Sequence, residues 1–476
     1  MRQQMLIGGK WIDALDGGIS KVVNPATEEV VAEVPFGGAV EAEMAVDAAA
    51  SARPQWAGMT AYERGAILCR ASDMIRDQID DLARTLTLEA GKPIAESRGE
   101  WQSSADLFEW FAEEGKRAYG RTIPARKPGK RLLSIPFPVG VVATITAWNF
   151  PAYLAARKWS AALAAGCPVV GRPSELTPLS AIALAQIIHE AGAPAGVINL
   201  VNGSAKAVGQ VFLDSPNVDK LSFTGSQGVG RVLMEGAARR FKRLSLELGG
   251  SAPVLVFPDV DVEWAARQAV IAKFRNSGQV CISPSRYYVH ADIMEEFVSA
   301  AGSLTEGLVV GNGLEEDVTT GPLATAGARD SMEGFVDEAL AQGARLVSGG
   351  KRPAHLPNGY FYEPTVLADV KPMMRISCEE VFGPIMPVAS FETLEEALRL
   401  ANDSPFGLSG YVITQNLSWA TQVYEGLQCG IVGVNDLVPA TAEGPFGGVK
   451  ESGFGREGSQ EGLHEYMETK FVSMLL

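Results

Sequence analysis

From Val139 onward, short β-rich runs (Val141 to Thr146, Val169 to Val170, Val197 to Val201, Lys220 to Phe223) alternate with Ala- and Leu-rich helical runs (Tyr153 to Ala165, Ser180 to Ala191, Val229 to Arg239). Parallel strands cannot be joined by a tight turn and need a crossover, so this alternation predicts an α/β fold with crossover helices. In such sheets ligands gather at the carboxyl ends of the strands, where Asn149, Ser174, Glu175, Gly225 and Ser226 fall. A second alternation starts at Pro253 to Phe257, continues through a helical Glu263 to Asn276 and a strand Arg286 to His290, and ends near Val434. With 476 residues, two or three domains are expected. Two extended runs, Gly120 to Pro124 and Arg131 to Pro136, predict a protruding hairpin that gives a monomer little.

Charge narrows the partners. Fifty-six acidic against 41 basic residues leave a net charge of −15, which repels phosphate backbones and anionic membranes, so no nucleic acid and no membrane partner is expected. The long uncharged run Leu132 to Ala156 is broken by Pro136, Pro138, Asn149 and Pro151, and reads as buried strand and loop. Five cysteines without a C-x-x-C pair read as free thiols, and Met1 to Ser20 lack an apolar core, so a cytoplasmic protein is expected. The four histidines are scattered, and no metal site is expected.

The chemistry concentrates in two segments, Phe274-Arg275-Asn276-Ser277-Gly278-Gln279-Val280-Cys281 and Leu246-Glu247-Leu248-Gly249-Gly250. A thiol attacks a carbonyl carbon, and a nearby carboxylate activates the water that later releases the product. Buried structural cysteine is the ordinary reading for Cys69, Cys167, Cys378 and Cys429. The G-Q-x-C setting sets Cys281 apart. A free thiol is mostly protonated at neutral pH (pKa ~8.5), so its surroundings or a base must assist.

Trp148-Asn149-Phe150-Pro151, Phe223-Thr224-Gly225-Ser226, Glu379-Glu380-Val381-Phe382-Gly383-Pro384 and Pro445-Phe446-Gly447-Gly448 follow in the order and spacing of one family. The chain resembles the aldehyde dehydrogenase superfamily from Gly8-Gly9-Lys10-Trp11 to Glu468-Thr469-Lys470. The resemblance implies a Rossmann-type NAD-binding domain (1–117 and 138–249), an α/β catalytic domain (250–463) and a small β oligomerisation arm (118–137 and 464–476), hence a homodimer or homotetramer. It implies an aldehyde oxidised through a thiohemiacetal and a thioester, with Cys281 as nucleophile, Glu247 as base and Asn149 as oxyanion donor beside the Cys281 N–H. A cofactor would meet Trp148, Gly225, Ser226, Gly230 and Leu248, with Glu380 and Phe382 near the nicotinamide ribose. Gly225 to Gly230 is G-x-x-G-x-G, not the dinucleotide fingerprint, yet a glycine-rich strand-to-helix turn can still present N–H groups to a pyrophosphate.

Arg172-Pro173-Ser174-Glu175 stands where the family carries a lysine, now Arg172, to contact the adenine ribose. Glu175 would accept from both ribose hydroxyls and repel a 2′-phosphate, whereas Arg172 could pair with one. NAD is expected, with NADP possible. Arg157 and Arg275 match positions that hold the substrate carboxylate in succinate-semialdehyde dehydrogenases, and Thr441 is the only hydroxyl where those enzymes use a serine. Arg157 beside Lys158 can also be read as a solvated or ion-paired helix residue. Glu109 to Gly115 and Gly120-Arg121 look like the 2-oxoglutarate-semialdehyde dehydrogenases. Competing classes are CoA-acylating oxidation, which does not need Glu247, a broad-specificity aldehyde dehydrogenase, a cysteine esterase, and a catalytically silent binding protein.

Overall fold

A computed structural model describes residues 3–476. Its first sheet has eight strands in the order Gly453–Phe454, Arg243–Glu247, Lys220–Thr224, Val142–Ile145, Val169–Arg172, Ile198–Leu200, Met5–Ile7, Lys10–Ile12. The five from Arg243–Glu247 to Ile198–Leu200 are parallel and the edges antiparallel. From Val142–Ile145 the chain first builds outward through Val169–Arg172 and Ile198–Leu200. It then returns to build the other side with Lys220–Thr224. The strand order thus reverses between Val142–Ile145 and Lys220–Thr224, and the loops leaving those strands carry Trp148-Asn149 and Gly225-Ser226.

The second sheet runs Arg345–Ser348, Thr365–Ala368, Ile385–Phe391, Pro284–His290, Ala252–Val256, Ser409–Ile413, Ile431–Val434. Cys281 lies just before its strand Pro284–His290, and Glu247 ends a strand of the first sheet. The site therefore forms where the carboxyl edge of the first sheet meets the amino edge of the second.

Helix Pro151–Ala165 shows how the sequence fixes these positions. Proline at its first position has a preset φ and lacks only an N–H that would be orphaned anyway, and left-handed Gly166 ends the helix. Every residue of it except Tyr153 is buried, Arg157 and Lys158 included, which excludes the solvated reading of Arg157. Trp56, Trp101, Phe108, Phe111 and Trp159 pack in the same core.

The expected hairpin is present as Arg121–Ile123 and Lys130–Pro138, and Lys130–Pro138 pairs antiparallel along its whole length with Met467–Leu475. One boundary shifts: Gly453–Phe454, assigned by sequence to the segment 250–463, pairs with Leu246 and Glu247 in the first sheet. The uncharged run Leu132 to Ala156 becomes two strands and the start of a helix. Among the described residues, no helix is long and apolar enough to cross a membrane.

Candidate active site

The turn that presents Cys281 is unusual in its backbone. Asn276 and Ser277 hold φ of 48° and 54°, and Gly278 follows at 73°. Left-handed geometry at two consecutive non-glycine residues is costly and persists only when neighbours over-determine it. They do so here. The Asn276 amide Nδ2 donates to the carbonyls of Asn149 (3.0 Å) and Gln279 (3.2 Å), and the Ser277 hydroxyl donates to the Gly321 carbonyl (2.7 Å). Gln279 Nε2 donates to the Asn276 carbonyl, its Oε1 accepts from the Ala324 N–H, and Glu96 accepts from the Asn276 N–H. A Cβ on Gly278 would run into the Gly383 carbonyl.

Asn149 is buried in the strand-to-helix turn before Pro151, and its Nδ2 donates to the Gln279 carbonyl at 3.1 Å, two residues from Cys281. That bond occupies one amide proton and leaves the other. Asn149, Cys281, Glu247, Trp148, Gly225, Ser226, Leu248, Glu380 and Phe382 all line one cavity of about 200 Å³. Trp148 and Phe382 meet edge to face, ring centroids 5.6 Å apart.

Glu247 is 4% exposed and neither carboxylate oxygen has a hydrogen-bond partner. Burial, reinforced by the neighbouring Glu457 carboxylate, pushes its pKa well above the usual range, against the pull of Lys158, Arg157 and Arg456. Burial also pushes the Cys281 thiol up to about 12, with the charges of Glu247 and Glu380 adding to it and Arg157 opposing. The surroundings in the free protein therefore do not make a thiolate, so a base must take the proton.

The cofactor-binding candidates divide. Cβ atoms on Gly225 and Gly230 would strike the Phe223 ring and Leu248, so these positions tolerate only bare backbone beside the cleft. Ser226 caps helix Gln227–Ala238, whose free N–H groups and positive end suit a pyrophosphate. The Thr224 hydroxyl is buried, unpartnered and beside the cavity. Glu380 accepts from the Gly250 N–H at 2.9 Å and titrates at about 7, raised by desolvation. This donor set fits a dinucleotide.

Ser174, Glu175 and Arg172 lie off that cavity. Arg172 is turned inward: its Nε and one terminal nitrogen donate to the Gly203 carbonyl (3.2 and 3.0 Å), and Glu175 stands 3.7 Å away. The arginine with the chemistry to pair with a 2′-phosphate is thus engaged, while Glu175 is exposed.

Of the three carboxylate-binding candidates, two gather. Arg157 is 1% exposed, its guanidinium 4.2 Å from the Phe446 ring centroid, and Arg275 lies 5.1 Å from that of Phe150. Phe446 and Phe150 pack in the apolar cluster that includes Cys281. Thr441 is exposed, and neither it nor the two arginines are among the residues lining the Cys281 cavity. Sequence reasoning missed Lys158 and Glu457, a buried ion pair beside Glu247, and the unpartnered Thr224. No motif marks Glu457. Of the cysteines read as buried, Cys167 is, Cys69 and Cys429 are half-buried, and Cys378 is exposed.

Comparison with known proteins agrees with this geometry. The aldehyde dehydrogenase family matches residues 11–472. The chain is 45% identical over 471 residues to a glutarate-semialdehyde dehydrogenase of Pseudomonas putida KT2440, covering 99% of this chain and 97% of that one. It is 46% identical, at the same coverage, to the NADP(+) succinate-semialdehyde dehydrogenase of Escherichia coli K12. A crystal structure described as an E. coli NADP-dependent enzyme superposes with a TM-score of 0.98 at 46% identity, covering 100% of this chain and 98% of that one. The chain belongs to the aldehyde dehydrogenase family. It is an NAD(P)-dependent oxidoreductase that converts an aldehyde into a carboxylic acid.

Proposed function

We propose that the substrate is an ω-semialdehyde acid of the succinate- or glutarate-semialdehyde class, held by Arg157 and Arg275 with its aldehyde at Cys281. The observation that carries this reading is the state of Arg157. Its terminal nitrogens donate to the Tyr153 hydroxyl (3.3 Å) and the Glu457 carbonyl (3.5 Å), and the Glu457 carboxylate pairs with it loosely at 3.7 Å, but its Nε, buried, makes no hydrogen bond. A substrate carboxylate would supply an acceptor for that Nε, and Arg275 a second cation on the same apolar cluster. The names of the two relatives above point to the same class.

The reaction begins with transfer of the Cys281 proton to Glu247, whose oxygens are unpartnered, and attack of the sulfur on the aldehyde carbon. The carbonyl oxygen becomes an oxyanion, received by the remaining Asn149 amide proton and the Cys281 N–H. Gly225, Ser226 and Glu380 would hold NAD(P), which would accept the hydride that the thiohemiacetal carbon loses as the oxyanion collapses to the thioester. After Glu247 has released that first proton to solvent, its carboxylate takes a proton from water, the hydroxide adds to the thioester, and the adduct expels the Cys281 sulfur, which takes the proton back from Glu247 and leaves as thiol. Glu247 as a water-activating base disfavours CoA-acylating oxidation.

For the cofactor, Glu175 beside an engaged Arg172 favours NAD over NADP. For assembly, Met467–Leu475 is a long edge strand with Phe471 62% and Leu475 79% exposed, which a second copy of this chain would cover. Sedimentation showing only monomer would remove the oligomer. The substrate is tested by cofactor reduction with succinate, glutarate and 2-oxoglutarate semialdehydes against butanal. The acids should be preferred at least about tenfold in kcat/KM, and equal rates would refute the carboxylate site.

A further inference from the structure

Lys92 and Glu100 form an ion pair from which water is wholly excluded, side chains 0% and 1% exposed, at 2.5 Å. Both continue into the turn that carries Asn149. Lys92 Nζ donates to the Asn149 carbonyl at 2.8 Å and lies 3.9 Å from the centroid of the Phe150 ring. The other Glu100 oxygen accepts from the N–H groups of Ala152 (2.9 Å) and Tyr153 (3.2 Å), orphan donors of the first turn of helix Pro151–Ala165. One ion pair thus grips the residues on both sides of the Phe150-Pro151 step. Lys92 is itself set by left-handed Gly91, where a Cβ would meet Pro322 and Pro25, and Glu100 by helix Ile94–Glu114.

Isolated buried ion pairs add little to stability, because desolvation offsets most of the attraction. What this one does is fix a backbone. The Asn149 carbonyl receives Lys92 and Asn276 while its side chain donates to Gln279, so the direction of the second amide proton depends on where the backbone is held. We propose that Lys92 and Glu100 are positioning residues for the oxyanion donor, acting on the reaction only through Asn149. The proposal rests on the reading of Asn149 as that donor.

Lys92→Met combined with Glu100→Gln removes both charges and leaves neither buried alone. It should lower kcat at least tenfold while changing the KM for the aldehyde and the affinity for NAD by less than about threefold. Lys92→Arg, which keeps the cation, should retain most of the rate. In an Asn149→Ala background the same pair of substitutions should change kcat less than twofold. Should the doubly substituted protein fail to fold, Glu100→Gln alone must show the same pattern, a loss of several-fold in the parent and none in Asn149→Ala. An equal loss in both backgrounds, a loss carried by KM, or an unchanged kcat overturns the positioning role. An Asn149→Ala variant with full activity overturns the oxyanion reading and the proposal with it.

Discussion

Arg275→Met gives the cleanest test of the carboxylate clamp. Arg157 is the poorer target, because it lowers the pKa of both Glu247 and Cys281 and pairs with Glu457, so its loss perturbs the chemistry itself. Arg275 lies outside those interactions, and methionine keeps an apolar stem over Phe150. A hydrogen bond to a charged group contributes about 1.5 to 3 kcal/mol. Arg275 is half-buried and faces the Glu96 carboxylate, which already offsets part of its charge and places the expected loss at about 1.5 to 2 kcal/mol. That is roughly a 10- to 30-fold fall in kcat/KM for succinate semialdehyde. Butanal, with no carboxylate, should be oxidised within about twofold of the parent rate. The assay is initial-rate cofactor reduction with both aldehydes. A parallel fall for the two substrates would refute the clamp and make Arg275 a part of the turn that presents Cys281.

Glu247→Gln should lower kcat about 10²- to 10⁴-fold and expose a burst of reduced cofactor, since thioester formation outruns its hydrolysis. Because the folded protein raises the Glu247 pKa, thioester hydrolysis should be slow at low pH and rise as pH climbs through that raised value, a limb the glutamine variant lacks. A pre-steady-state trace without a burst would count against Glu247 as the base. Cys281→Ala should abolish turnover while leaving NAD binding intact by calorimetry. Glu175→Gln should raise kcat/KM with NADP at least about fivefold, a like charge ~4 Å away costing about 1 kcal/mol or more. Gly278→Ala should remove activity and lower the melting temperature, since a Cβ there meets the Gly383 carbonyl at a φ of 73°.

The parallel sheet was legible because periodicity and proline-started helices are local signals, and Val142–Ile145, Val169–Arg172 and Lys220–Thr224 fall where the alternation places them. That Cys281, Glu247 and Asn149 share one cavity was legible because short motifs surround them. Lys158 and Glu457 were not: their 299-residue separation leaves no local pattern, and a lysine on an Ala-rich helix looks solvated until the second contacting segment is known. Residue type also outran orientation. Arg172 has the right chemistry for a phosphate but donates to the Gly203 carbonyl, and Thr441 has the right hydroxyl but is exposed. The direction of the Cys281 pKa could not be read at all, since it depends first on how deeply the thiol itself is buried and then on the carboxylates of Glu247 and Glu380 beside it.

The pairing of Lys158 with Glu457, and of Glu247 with Gly453, has a consequence in time. A ribosome adding about 5 to 20 residues per second needs roughly 15 to 60 s to travel from one member of the 158–457 pair to the other. Throughout that interval a lysine destined for a dry interior has no counter-charge, and the strand bearing Glu247 has an open edge. The nascent chain therefore holds Cys281 and Glu247 in a cleft that stays unfinished until Gly453 and Glu457 arrive.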